Sequence, residues 1–386
     1  MLSNIINLIK AESGDCFLIQ FDNKICILID CGYKCTYDKY LKPLLVQLAH
    51  QNYRIGLFIV THYDSDHIGG AISFIRDNGY SNAPKIIPID NIWFNGIFSL
   101  LKSSKLLISH LLEKVSDDQS QKCKFLTECL KRHICLAGEG QISAQNSECF
   151  EKLCSKYEYR LNNGTANWEV LYGTYLKLEN DIVVKCLNPS VTQIRELEKW
   201  IDSECIKKLG THYELEKSEF IDFLTSMILA QCKENDSQFK SIPIAARAPK
   251  LDDWINSSKL SPMNIVNRSS IVVEISYQDK NLLFTGDSES SDWISKAKEK
   301  YDVVKLSHHG TTKPNIELLN YITFNSAIIS TNGRRNHPEK ALLARLIKNK
   351  VSNIYFNYET QYAKDLIKLQ QVHDFSVFFN SEKIYF

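Results

Sequence analysis

The apolar run Ile55-Gly56-Leu57-Phe58-Ile59-Val60 leads directly into Thr61-His62-Tyr63-Asp64-Ser65-Asp66-His67-Ile68-Gly69-Gly70. The first part reads as a buried strand. The residues after it, Ala71-Ile72-Ser73-Phe74-Ile75, have the spacing of a helix start. His62, Asp64, Asp66 and His67 therefore crowd into one strand-to-helix loop. Imidazole and carboxylate are the ligand types that hold divalent metals while leaving positions open for water. A loop cannot aim all four the same way, so it can serve two neighbouring ions. A merely polar loop would not need this density of ligands beside a strand and a glycine pair.

Length and composition set the frame. A chain of 386 residues holds one large α/β domain with insertions, or two domains. Its formal net charge is +1, which excludes a global field that would draw in long nucleic acid or a membrane, but not a local basic rim. Twelve cysteines lie between Cys16 and Cys232 at irregular spacing, with no Cys-x-x-Cys pair. They argue against a zinc ribbon and for buried thiols in a reducing compartment. No run approaches the ~18–20 apolar residues of a membrane span, and the N-terminus lacks a signal-peptide pattern. The expected location is cytoplasmic, with no membrane partner.

Further along, other segments fall into order around the loop. Ile27-Leu28-Ile29-Asp30-Cys31-Gly32 is a strand ending in Asp and Gly, and Leu282-Leu283-Phe284-Thr285-Gly286-Asp287 is a second strand ending in a carboxylate. Lys305-Leu306-Ser307-His308-His309-Gly310 and Asn336-His337-Pro338 follow. Together these resemble the motifs of the metallo-β-lactamase fold superfamily, in its His-x-Asp-x-Asp-His variant. That variant is similar to the hydrolase domain of late-competence DNA-uptake proteins and related to phosphorylcholine esterases. The motifs span residues 14–340, and most of 97–262 lies outside them. One departure stands out: Asn267-Arg268-Ser269-Ser270 occupies the place of the superfamily's lone histidine.

The resemblance implies an αββα four-layer sandwich, two mixed β-sheets flanked by helices. Residues 1–96 would form the first half of the core domain and 263–386 the second. Strands in 166–189 would complete it, with a helical insertion over 97–165 and a helical insertion with a polar loop over 190–262. Strands are expected at 4–10, 16–21, 24–30, 85–87, 91–94, within 168–187, and at 270–277 and 281–285. Helices are expected at 38–51 with Asp38 as N-cap, and at 191–208 and 214–233. Beyond Asp287, Ser290, Ser291 or Asp292 would start a helix, and the C-terminal part would alternate helix and strand at 338–348, 352–356, 360–371 and 374–379.

The expected metal ligands are His62, Asp64, Asp66, His67, Asp287, His308 and His309, holding two divalent ions, Zn or Mn. His62 and Asp64 would serve one ion, Asp66 and His67 the other. Asp287 would bridge ions roughly 3.5–4 Å apart. Adjacent residues of an extended strand point oppositely, so His308 and His309 reach the centre together only if the backbone turns there, and Gly310 permits that. One of them would ligate while the other contacts substrate, and His337 would be a further ligand or a substrate-facing acid. Asp66, His309 and His337 are the expected catalytic residues. Asp30, Asn267 and Ser270 would support the ligands, with Asp30 fixing its neighbouring loop rather than binding metal.

The implied activity is metal-dependent hydrolysis of a phosphodiester, by a phosphodiesterase or nuclease using a metal-bound hydroxide. A nucleic acid or nucleotide would be the substrate, with Lys313, Arg334 and Arg335 positioning phosphate. Alternatives are hydrolysis of a lactone, thioester or β-lactam, and a regulatory part in a multi-gene bacterial defence system. Protein partners would dock through the helical insertions.

Overall fold

A computed structural model describes residues 4–96, 143–209, 249–257, 260 and 262–386. The helices expected over 97–142 and 214–233 lie outside the described residues. Among the described residues, fourteen strands form two mixed sheets. The first has the order β14-β1-β2-β3-β4-β5, comprising Lys383–Tyr385, Ile5–Leu8, Phe17–Gln20, Ile25–Ile29, Arg54–Ile59 and Ile92–Trp93. The second runs β13-β12-β11-β10-β9-β8-β7-β6, from Ser376–Phe378, Asn353–Phe356, Thr323–Ile329, Lys300–Lys305, Lys280–Phe284, Val272–Tyr277 and Val183–Asn188 to Tyr175–Lys177.

Both faces of each sheet are buried, which is why the central strands read as continuous apolar runs rather than alternating ones. Along β2 and β3, successive side chains enter different cores. Phe17, Ile19, Ile27 and Ile29 meet Val273, Ile275, Leu282 and Phe284 between the sheets. Leu18, Cys26 and Leu28 face outward against Tyr37, Leu41, Phe74 and Phe150. On the far side of the second sheet, Leu283, Val304 and Ala327 pack on Leu342, Leu346 and Leu366. Three cores between four layers give the αββα sandwich. The central core closes on aromatic pairs, with Phe17 and Phe284 ring centroids 5.4 Å apart. Phe284→Ala should cost about 3–5 kcal/mol, read as a lower denaturant midpoint at unchanged slope.

Strands β3 and β4 are parallel, as are β9, β10 and β11. Their C-terminal ends bring together the loops that carry Asp30, His62, Asp287, His309 and Ser330. The helix Ser65–Asn78 then leaves the β4 loop, with Asp64 at its N-cap and Asp66 in its first turn, where a helix dipole favours anions. A second helix, Ser143–Lys156, packs on it, and Asn146 Nδ2 donates to Ser65 Oγ at 3.0 Å.

Several local expectations change. The helical run before β4 starts at Lys34 with Tyr33 at its cap, so Asp38 lies inside a π-helical turn, Tyr37–Leu41, instead of capping. Residues 85–87 form no strand, because Asn78 takes the backbone there: its side chain accepts from Ile86 N and Ile87 N. The segment after Asp287 makes only short 3-10 turns, Ser290–Asp292 and Ile294–Lys296. Strand β14 was not expected; it returns to pair antiparallel with β1. None of Cys16, Cys26, Cys31, Cys35, Cys149, Cys154 and Cys186 forms a disulfide. Among the described residues, no helix is long and apolar enough to cross a membrane.

Candidate metal centre

The site is built on backbone stitching between three loops. Asp15 N donates to Asp66 O at 3.2 Å, Cys31 N to His67 O at 2.9 Å and Gly70 N to Gly32 O at 2.8 Å. Gly14 is needed at this crossing, since a Cβ there would fall 1.9 Å from Asp66 O. On the opposite sheet, the turn after β10 places His308, His309 and Gly310 all at positive φ, 49°, 55° and 93°. For a non-glycine residue this backbone costs about 1–2 kcal/mol. It is held by Glu339 N donating to Gly310 O at 2.9 Å and by the His309 side chain itself.

Three imidazoles are oriented in the same way. His67 Nδ1 lies 2.8 Å from Asp30 Oδ2. His62 Nδ1 lies 3.1 Å from Thr61 Oγ1 and 3.3 Å from Ser270 Oγ. His309 Nδ1 donates to Ser330 O at 3.1 Å. With Nδ1 held by the protein, each ring turns Nε2 inward. His67 Nε2 and His309 Nε2 lie 3.5 Å and 3.3 Å from Asp287 Oδ2. His309 Nε2 is 3.7 Å from Asp66 Oδ2, and His62 Nε2 is 3.6 Å from Asp64 Oδ2. The buried Nε2 atoms of His62 and His67 have no hydrogen-bond partner among the described residues. Orphaned nitrogens facing carboxylates, each with its second nitrogen anchored, are the arrangement of metal-ligating histidines.

Four groups among the described residues converge tightly enough to hold an ion, two of them through Asp15, which joins Asp30 with His67 and Asp287 with His309. Of the other two, His62, His67 and Asp287 form one, and Asp66, His67 and His309 another, with ligand atoms within 4.8 Å of one another. Ligands about 2.0–2.2 Å from a common ion are separated by distances in this range. His67 and Asp287 sit between the groups. His62 faces Asp64, and Asp66 and His67 belong to one group, while the two imidazoles of the loop also lie together, ring centroids 4.1 Å apart. Asp64 stays at the mouth, its side chain 14% exposed, beside Asp66 at 13%.

The remaining predicted residues surround this core. His308 stands outside the converging groups, its Nε2 3.5 Å from Asn267 Nδ2 and its ring 5.6 Å from that of His337. His337 is buried, 6.3 Å from the His309 ring. Asp30 receives Thr61 N and Thr61 Oγ1, each at 2.8 Å, besides meeting His67. Ser270 Oγ also accepts from Asp287 N at 3.3 Å. Lys313 is 3.6 Å from Glu289, and Arg334 is exposed in a 3-10 turn, Arg334–Asn336. The Arg335 side chain lies outside the described part of the structure.

Two buried charges were missed from sequence. Asp15, after the Gly14 crossing, ion-pairs with Lys305, the last residue of β10, and both side chains are 1% exposed. Their only signal was a carboxylate after Gly14 and a lysine ending an apolar strand. Burial would raise the Asp15 pKa, but Lys305 and His309 lower it to about 2. Burial likewise opposes charge on His309, yet Asp287 and Asp15 push its pKa up to about 10. For His67, Asp287 and Asp30 outweigh burial and hold the pKa well above the ordinary imidazole range.

With this geometry stand the comparisons. Residues 9–84 match the family model described as the metallo-beta-lactamase superfamily. Solved structures that align over 100% of this chain include the metallo-beta-lactamase fold protein YhfI from Bacillus subtilis, at 8% identity, 99% of that chain and TM-score 0.37. The metallo hydrolase Igni18 from the archaeon Ignicoccus hospitalis aligns at 11% identity, 99% of that chain and TM-score 0.36. A mutant of CmlA beta-hydroxylase aligns at 8% identity, 54% of that chain and TM-score 0.35. No curated protein sequence matches. The matched segment carries the first sheet's ligand loop, and the two mixed sheets flanked by helices around it are consistent with the metallo-β-lactamase fold, with His and Asp residues that could bind metal.

Proposed function

We propose that this chain is a metal-dependent phosphodiesterase, acting on a nucleic acid or nucleotide at a dinuclear Zn or Mn centre. The observation that carries the reading is the convergence of His62, His67 and His309, each with Nδ1 anchored and Nε2 turned inward, on Asp66 and Asp287. Carboxylates make the centre harder and more anionic than an all-histidine site, which favours Mn²⁺ relative to such a site and keeps Zn²⁺ in range. When bound, paired divalent ions lower the pKa of a water and neutralise charge on phosphate oxygens. The motif resemblance to the DNA-uptake hydrolase domain supports phosphodiesters over lactones, thioesters or β-lactams.

The chain's own residues divide the work. Asp30, Thr61, Ser270 and the Ser330 carbonyl fix the imidazole planes. Asp64 and Asp66 line the exposed mouth. His308 and Asn267 form a polar wall for the substrate, and His337 stands behind them as the group to protonate a leaving oxygen. Arg334, at the rim, would meet a neighbouring phosphate.

The test is a panel of single- and double-stranded DNA and RNA, cyclic dinucleotides, bis-p-nitrophenyl phosphate and nitrocefin, with Mn²⁺, with Zn²⁺ and with EDTA. Phosphodiester turnover that disappears in EDTA is the expected result. Turnover of nitrocefin alone, or phosphodiester cleavage indifferent to EDTA, would overturn the reading.

A further inference from the structure

Behind Asp287 lies a cation belonging to the protein itself. Lys305 points from the end of β10 into the centre, where its neighbours Val303, Val304 and Leu306 are apolar and buried. Its Nζ pairs with Asp15 Oδ2, lies 3.6 Å from Asp287 Oδ1 and donates to Gly286 O at 2.9 Å. The two oxygens of Asp287 therefore face different ways. Oδ1 faces the ammonium, and Oδ2 faces the Nε2 atoms of His67 and His309. Asp15 is divided similarly, with Oδ2 on Lys305 and Oδ1 3.5 Å from His309 Nδ1.

An ammonium this deeply buried is unfavourable unless carboxylates compensate it. Here it has a carboxylate on two sides and a carbonyl on a third. Electrostatics gives the arrangement a use. Asp15, Asp30, Asp64, Asp66 and Asp287 surround the centre, and two divalent ions alone would leave one of those charges uncompensated. The ammonium supplies the missing charge at a fixed place, on the side of Asp287 away from the imidazoles.

We propose that Lys305 is a positioning residue of the metal centre, a built-in monovalent cation that occupies Asp15 and the outer oxygen of Asp287 so that only Asp287 Oδ2 is offered to metal. The proposal rests on the metal-dependent reading above. It differs from a structural salt bridge in one respect. Removing either half of a structural pair loosens the site in the same direction. Removing halves of a charge-setting pair changes metal affinity in opposite directions, because one variant adds negative charge to the centre and the other adds positive charge.

The experiment measures Mn²⁺ affinity by competition with a chelating dye, and the absorption spectrum of the Co²⁺-loaded chain, for wild type, Lys305→Met, Asp15→Asn and the double variant. Lys305→Met should tighten Mn²⁺ binding by a factor of about ten or more, and Asp15→Asn should weaken it by a similar factor. The double variant should return to the wild-type affinity. The Co²⁺ spectrum should change in Lys305→Met as Asp287 gains its second oxygen for the ion. If Lys305→Met alone does not fold, adding it to Asp15→Asn must still tighten binding relative to Asp15→Asn. Single variants that shift affinity in the same direction, or variants with wild-type affinity and spectrum, would overturn the proposal. A wild-type chain that binds neither ion refutes the metal centre itself, and that result is read before any variant is compared.

Discussion

Replacing Asp66 and His67 together by alanine should reduce kcat/KM for a phosphodiester by about 10⁴ or more, equivalent to about 5.5 kcal/mol of lost transition-state stabilisation. The size follows from geometry. His67 belongs to three of the four converging groups, and Asp66 is the carboxylate that faces His309 across the mouth. No neighbour can substitute for either, because His62 and His309 are already committed through Nδ1 to Thr61 with Ser270 and to Ser330. Asp30→Asn supplies the scale for comparison. It keeps the side-chain shape but weakens the hold on His67 Nδ1, and such supporting changes cost about 10- to 100-fold. The two variants should therefore separate by at least two orders of magnitude, with far-UV circular dichroism unchanged in both. Residual activity of the double variant within tenfold of wild type would remove these residues from the centre.

How far the sequence reached can be traced residue by residue. The loop from His62 to His67 was readable because a strand, a ligand cluster and a glycine pair agreed within one short segment. Asp287 and His309 were readable because each ends a strand of the same apolar kind, and parallel strands place their C-terminal ends together. The turn at His308, His309 and Gly310 was legible only as a permission given by Gly310. The left-handed backbone of both histidines depends on tertiary partners, Ser330 and Glu339, that lie twenty and more residues away. Asp15 and Lys305 were invisible for a related reason. Neither belongs to a local pattern of ligands, and their meaning comes from a pairing across the two sheets. Strand β14 was missed because a three-residue edge strand has too short a pattern to mark itself. What the pattern could not show was the approach of the loop's two imidazoles, whose ring centroids lie 4.1 Å apart where the helix begins at Ser65.

The metal-free chain should lose stability as pH rises from about 6.5 towards 10, and divalent ions should abolish that loss. His309 is one source. Its folded pKa of about 10 exceeds the ordinary imidazole value of 6.5, because Asp287 and Asp15 overcome the opposing effect of burial. A group whose pKa is raised by folding contributes stability that is fully present below the unfolded value and is lost as pH climbs through the folded one. His67, raised in the same direction by Asp287 and Asp30, adds to the effect. Each proton held by the folded chain but not the unfolded one steepens the loss by about 1.4 kcal/mol per pH unit. Metal ligation requires the same nitrogens to be unprotonated, so ion uptake near pH 7 must release protons. Calorimetric titration of Mn²⁺ into the metal-free chain, in buffers of different ionisation enthalpy, should count one to about two protons released per chain. Thermal melts in EDTA should fall across pH 7 to 9, and melts with saturating Mn²⁺ should stay level or rise. His309→Gln should flatten the EDTA series, since the amide cannot be charged. An EDTA series that is flat in the wild type, together with no proton release, would mean that the carboxylates of the centre do not face these imidazoles in solution.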